Sequence, residues 1–167
     1  MHLIIDGYNL IYAGRLLPSA TSHDLERERD HLVDQLSSYR QTRPYQITVV
    51  FDGWRGGWAA EKRERKKGIE LIFSSLGEKA DEVIKRLIKE KGPGAIVITS
   101  DRDIARFAER IAVSVIPSDQ FRERMEMSAD KFGENFEEGK EAGVKQKGPS
   151  RTLSKKEKRA RAALKKL

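Results

Sequence analysis

A chain of 167 residues and 19.0 kDa accommodates one domain with a sizeable core plus some extra length. It has no cysteine and no apolar run near the roughly 18 residues of a membrane span, so disulfides, thiolate metal sites and a membrane helix are all excluded. The N-terminus has neither the basic start nor the small-residue cleavage site of a signal peptide, and the expected setting is a bacterial-type cytoplasm. The net charge of +7 is uneven: Lys140 to Leu167 holds eleven Lys/Arg against Glu141 and Glu157, while the preceding residues carry 22 basic against 24 acidic.

Leu3-Ile4-Ile5-Asp6-Gly7 predicts a buried strand whose carboxyl end presents a carboxylate, with Gly7 turning the chain and Asn9 sending its amide back toward the same crevice. Taken alone, Asp6 reads more readily as the cap of a turn, and it is the recurrence of the arrangement that shifts the balance. Tyr8 to Ser22 is predicted as a loop. A helix from His23 to Gln41 follows, with Leu25, Leu32, Val33, Leu36 and Tyr39 on one stripe, ended by Arg43-Pro44. Gln46 to Phe51 is β-branched and apolar, a buried parallel-type strand, and it too ends in Asp-Gly, at Asp52-Gly53.

The segment Gly53 to Gly68 differs from its surroundings. Trp54 and Trp58 stand among Arg55, Lys62, Arg63, Arg65, Lys66 and Lys67, and aromatic faces beside cations are what unstacked bases and phosphates require. The alternative is a solvated loop and helix turn with the tryptophans folded onto the core. Ile69 to Phe73 is a third strand, and Glu78 to Lys91 a helix with Val83, Ile84, Leu87 and Ile88 inward. Asp81 lies in its first turn, where an acid also suits the helix dipole. Gly94 to Ser100 is a fourth strand ending at Asp101, with Asp103 two residues on; Asp101 could serve as a helix cap. A helix with Ile104, Phe107, Ala108 and Ile111 inward, a strand Ala112 to Ile116 and a helix from Ser118 to Met127 complete the expected core.

Strand–helix alternation predicts a three-layer α/β/α sandwich with a central, mainly parallel sheet over residues 1–127. Residues 128–153, rich in Gly, Lys and Glu, are expected to form a flexible linker. The Ser154-Lys155-Lys156-Glu157 capping box opens a short basic helix over 154–167 that carries Lys155, Lys156, Lys158, Arg159 and Arg161. So basic a tail without a lipidation signal points to nucleic acid rather than membrane, and ribosome-associated or otherwise structured RNA is the suggested partner.

In a parallel sheet the carboxyl ends of the strands share one edge, which brings Asp6, Asp52 and Asp101 together, with Asp81 at a helix start nearby. Such a group repels itself, and a hard divalent cation relieves the conflict; oxygen-only ligation favours Mg²⁺ or Mn²⁺ over zinc. His2, His23 and His31 lack ligand spacing. There is no Gly-x-Ser-x-Gly, no phosphate-binding Gly-Lys-Ser/Thr loop and no Gly-x-Gly-x-x-Gly, so no nucleotide cofactor is expected.

Asp6-Gly7-Tyr8-Asn9, Phe51-Asp52-Gly53, Ala80-Asp81-Glu82 and Thr99-Ser100-Asp101-Arg102-Asp103, in this order, resemble the NYN domain of the PIN-like nuclease superfamily, specifically its YacP-like branch. The resemblance implies an α/β/α fold and metal-dependent cleavage of RNA. By position, Asp6, Asp52, Asp81 and Asp101 would form the acidic metal site, with Asn9, Ser100 and Asp103 as supporting polar groups. Trp54 to Trp58 has no counterpart in the family pattern. The expected reaction is hydrolysis of RNA phosphodiesters, endonucleolytic in mode, leaving a 5′-phosphate and a 3′-hydroxyl. Two rivals are a non-catalytic RNA-binding adaptor with structural acids, and an aspartate-nucleophile phosphatase. The latter needs a second Asp two residues after the first, where this chain has Tyr8.

Overall fold

A computed structural model describes residues 1–13, 22–41, 43–53 and 59–134, with the side chains of 22, 23 and 129–134 left out. Trp54, Arg55, Trp58 and the whole basic tail lie outside these residues.

Five short apolar runs pair as parallel strands: β1 (His2–Asp6), β2 (Gln46–Phe51), β4 (Ile69–Phe73), β5 (Ala95–Ile98) and β6 (Ser114–Ile116). A sixth strand, β3 (Lys62–Lys66), lies antiparallel to β4 at the edge, giving the order β3-β4-β2-β1-β5-β6. The helices are α1 (Gly7–Tyr12), α2 (Ser22–Gln41), α3 (Ala80–Lys91), α4 (Arg102–Arg110) and α5 (Ser118–Glu134). Among the described residues no helix is long and apolar enough to cross a membrane.

Period-2 alternation along each strand divides the core in two. Leu3, Ile5, Val49, Phe51, Leu71 and Ile98 face one way, onto Leu32, Leu36, Phe121 and Met125 of α2 and α5. Ile4, Val50, Ile72 and Val97 face the other way, onto Val83, Ile84, Leu87, Ile104 and Ala108 of α3 and α4. Both faces are covered, which is why these strands read as continuous apolar runs.

The chain passes outward from β1 to β2 and β4, then crosses back through α3 to β5 on the other side of β1. The β1/β5 junction is therefore the point where the winding reverses, and ligands in open α/β sheets bind in the crevice at such a junction, beyond the carboxyl ends of the strands. Asp6 and Asp101 flank it.

Several expectations are corrected. The segment after β1 begins with a helix, α1, not a loop; Asp6 caps it, and the Arg122 guanidinium of α5 donates to the carbonyls of Leu10 and Ile11 at its far end. Lys62–Lys66 is a strand although it has no apolar residue, because it is an edge strand joined to β4 by a tight hairpin at Lys67 (φ 50°) and Gly68 (φ 80°). Lys66 and Lys67 pair with Asp30 and Asp34 of α2. Helix α5 runs to Glu134, so 128–134 are helical rather than linker. Ile111, expected inward, is 37% exposed just past the end of α4.

Candidate active site

Each of three aspartates at the carboxyl edge accepts backbone N–H groups from the start of a helix. Asp6 Oδ1 accepts from Asn9 N at 3.1 Å. Asp52 Oδ1 accepts from Ala80 N, the first residue of α3, at 2.8 Å. Asp101 Oδ1 accepts from Asp103 N at 2.7 Å and Ile104 N at 3.0 Å. The capping roles read from the sequence for Asp6 and Asp101 are thus real, Asp52 adds one the sequence did not suggest, and together they aim three helix N-termini, each a partial positive end, at one edge.

Asp6 is the most enclosed of the acids, at 7% exposure. Its Oδ2 accepts from Asn9 Nδ2 at 2.8 Å and from Thr99 Oγ1 at 3.1 Å, so both its oxygens are engaged. Burial raises its pKa above the ordinary 3.8, opposed by the Asn9 and Thr99 hydrogen bonds and assisted by the charge of Asp81. Thr99 also accepts from Asp101 N at 3.1 Å, which ties the two acids flanking the winding reversal through one buried hydroxyl.

Asp81 differs from the rest. Among the described residues its carboxylate accepts no hydrogen bond, and its pKa is raised by burial first and then by the like charges of Asp101 and Asp52, against Lys85 and Lys79. Asp52 Oδ2 and Asp101 Oδ2 likewise accept nothing from the described residues. Ser74 supports Asp52: its hydroxyl lies 3.5 Å from Asp52 Oδ1 and accepts from Gly53 N at 3.0 Å.

The two Asp-Gly glycines are needed for close approach and not for φ. A Cβ on Gly7 would stand 2.2 Å from the Phe51 ring, and one on Gly53 would stand 1.8 Å from the Ser74 carbonyl oxygen.

The donor set fits a hard divalent cation in type and charge, all oxygen and mutually repelling, with oxygens on three acids that no described donor occupies. It does not form a ready cage: among the described residues no three His, Asp or Glu side chains are grouped closely enough to hold an ion.

Of the supporting residues read from the sequence, Asn9 is in place. Ser100 Oγ accepts from Ser118 N at the start of α5, and the Asp103 side chain is 79% exposed and 3.8 Å from Arg106. Arg63 pairs with Glu61, Lys62 with Glu64, and Lys66 and Lys67 with α2, which leaves Arg65 as the cation of β3 without an ion pair among the described residues. Thr99, Ser74 and Arg122 were missed. Both Thr99 and Ser74 are polar residues ending an apolar strand, and Thr99 also opens one of the four motifs of the resemblance; Arg122 offers no sequence signal.

A family model described as the YacP-like NYN domain matches residues 3–166. The curated protein YacP of Bacillus subtilis (strain 168), described as uncharacterized, is 33% identical over 87 residues, covering 51% of this chain; the match spans about half the length of that relative, 49%. Two crystal structures of Rae1 (YacP) from Bacillus subtilis superpose on 81% of the chain. One has a TM-score of 0.63 at 25% identity over 79% of its own chain, and the other, a point mutant, has 0.64 at 23% identity over 82%.

Proposed function

The chain belongs to the YacP-like NYN domain family, a nuclease-type family, and from that premise we propose that it is a Mg²⁺- or Mn²⁺-dependent endoribonuclease acting in the cytoplasm. The observation that carries the proposal is that Asp6, Asp52 and Asp101 follow the carboxyl ends of the neighbouring strands β1, β2 and β5, with Asp81 in the first turn of α3 and with oxygens of Asp52, Asp81 and Asp101 free of described hydrogen-bond donors.

Asp6, Asp52, Asp81 and Asp101 would hold the cation. Bound there, it supplies charge neutralisation at the phosphate and an activated water. The chain's own part is preorganisation: amides at three helix starts fix the capping carboxylates, and Asn9 and Thr99 hold both oxygens of Asp6, so little reorganisation is needed as charge develops. Asp81, free of described donors, would serve as a ligand of the cation or as an aid to the attacking water. In-line hydrolysis leaves a 5′-phosphate and a 3′-hydroxyl. Trp54, Arg55 and Trp58, with Lys155, Lys156, Lys158, Arg159 and Arg161 of the tail, would engage the RNA, ribosome-associated or otherwise structured.

A second reading, the RNA-binding adaptor, is favoured by the structural capping work of three of the four acids. Incubation with mixed cellular RNA, with and without Mn²⁺, and mapping of the cut ends separates the two. Metal-stimulated cuts bearing 5′-phosphates, lost in Asp101→Asn, are expected. Undiminished cutting in EDTA overturns the metal mechanism, and RNA bound but intact under every metal condition leaves the adaptor.

A further inference from the structure

Helices α3 and α4 cover the same face of the sheet, and both begin at the carboxyl edge, α3 with its first amide on Asp52 and α4 capped by Asp101. They therefore run away from the acids in the same sense. On α3, Asp81, Lys85 and Lys89 follow at i, i+4 and i+8; on α4, Asp103, Arg106, Phe107 and Arg110 follow at i, i+3, i+4 and i+7. Each helix thus presents a row that starts acidic at the edge and turns basic one turn on.

Between the rows lies a groove of about 680 Å³ lined by Lys85, Asp103, Arg106, Phe107, Glu109 and Arg110. Phe107 is half-buried, with Lys89 Nζ 5.5 Å and Arg110 Cζ 5.6 Å from its ring centroid. Lys89 and Arg110 have no ion pair among the described residues, and Arg106 is 3.8 Å from an Asp103 as exposed as itself, a weak attachment. Lys85 is held by Glu82 at 2.9 Å. On β3, by contrast, Lys62, Arg63 and Lys66, with Lys67 of the hairpin, are already matched by carboxylates.

We propose that the α3–α4 groove binds the backbone of a single RNA strand leading away from the acid cluster, with Lys85, Lys89, Arg106 and Arg110 on successive phosphates and Phe107 beneath a ribose or base. Cations repeating at each helical turn, about 5.4 Å, suit a chain of evenly spaced phosphates. Two helices in contact, with axes about 8–10 Å apart, form on their outer side a furrow along which one extended strand can lie and which is too narrow to seat a duplex. Only what happens at the groove's mouth rests on the nuclease reading; the binding itself does not.

The test uses the full chain in EDTA, so that no cleavage is required. Anisotropy of labelled single-stranded RNA is measured across a salt titration for Lys89→Ala/Arg106→Ala/Arg110→Ala and, for comparison, Lys66→Ala/Lys67→Ala. The triple variant should bind about tenfold or more weakly, and its slope of log affinity against log salt should fall by about 2, at ~0.7 per phosphate contact. The comparison pair should leave the slope within about 0.5. Arg106→Lys/Arg110→Lys should retain the slope, since point charges suffice. Unchanged affinity and slope in the triple variant, whether or not Lys140–Leu167 is present, overturns the groove; so does an equal loss for duplex RNA or for polyglutamate. A protein that binds through the groove but cuts nothing with Mn²⁺ keeps this site and rejects the nuclease reading.

Discussion

Thr99 is a residue whose replacement should register on both flanks of the site. Its buried hydroxyl donates to Asp6 Oδ2 and accepts from Asp101 N, and Thr99→Val removes both bonds at nearly constant volume. A hydrogen bond to an ionised group contributes about 1.5–3 kcal/mol, and the orphaned Asp101 amide adds roughly 1 more, so a loss of about 2–3 kcal/mol is expected once some relaxation is allowed. For a chain of this length that is about 5–10 °C in Tm. Thr99→Ser keeps the hydroxyl and should lose no more than about 1 kcal/mol for its methyl. The pH dependence gives the sign. Burial already holds the Asp6 pKa above 3.8, and the Thr99 hydrogen bond is one of the groups holding it down. Without that bond the pKa rises further, so the folded variant binds more protons than the unfolded chain over a wider range, and its stability falls more steeply as pH rises from 3.8 through the folded value. Thermal unfolding by circular dichroism from pH 4 to 8 in EDTA should show the Val–Ser gap widening with pH. A Val variant as stable as Ser at neutral pH, or a gap that narrows as pH rises, refutes the bridging role.

Gly53→Ala should be costly, about 1–3 kcal/mol in urea unfolding, because the clash at 1.8 Å is with the Ser74 main-chain carbonyl and not with a side chain that can swing aside; a neutral result would mean the Asp52 loop is free to move. Asp81→Asn should raise the Tm of the metal-free protein at neutral pH, since Asp81 has a raised folded pKa and so lowers stability as pH climbs above 3.8. That gain should vanish toward pH 3.8, and Mn²⁺ should stabilise the unsubstituted protein more than the variant. Scanning fluorimetry in EDTA and in Mn²⁺ reads all three, and an Asn variant less stable in EDTA at neutral pH refutes the cost of burying the Asp81 charge beside Asp101 and Asp52.

The runs Leu3–Ile5, Ile47–Phe51 and Ala95–Ile98 are buried on both faces, so their largely apolar character was legible without a structure, and the carboxylate at or just beyond the end of each placed Asp6, Asp52 and Asp101 on a common edge. Strand–helix alternation was enough to predict the parallel sheet and its three layers. Tertiary structure alone decided the rest, because it turned on partners distant in sequence. Helix α1 is closed by Arg122, more than a hundred residues away. The all-polar β3 is a strand only because β4 and the acids of α2 receive it. The same pairing occupies lysines that sequence reading offered to RNA, while the cations of α3 and α4, which look in sequence like ordinary solvated helix faces, lie along a groove beside the acids. A charge's identity is written in the chain; whether a neighbour neutralises it depends on packing, which local pattern does not encode.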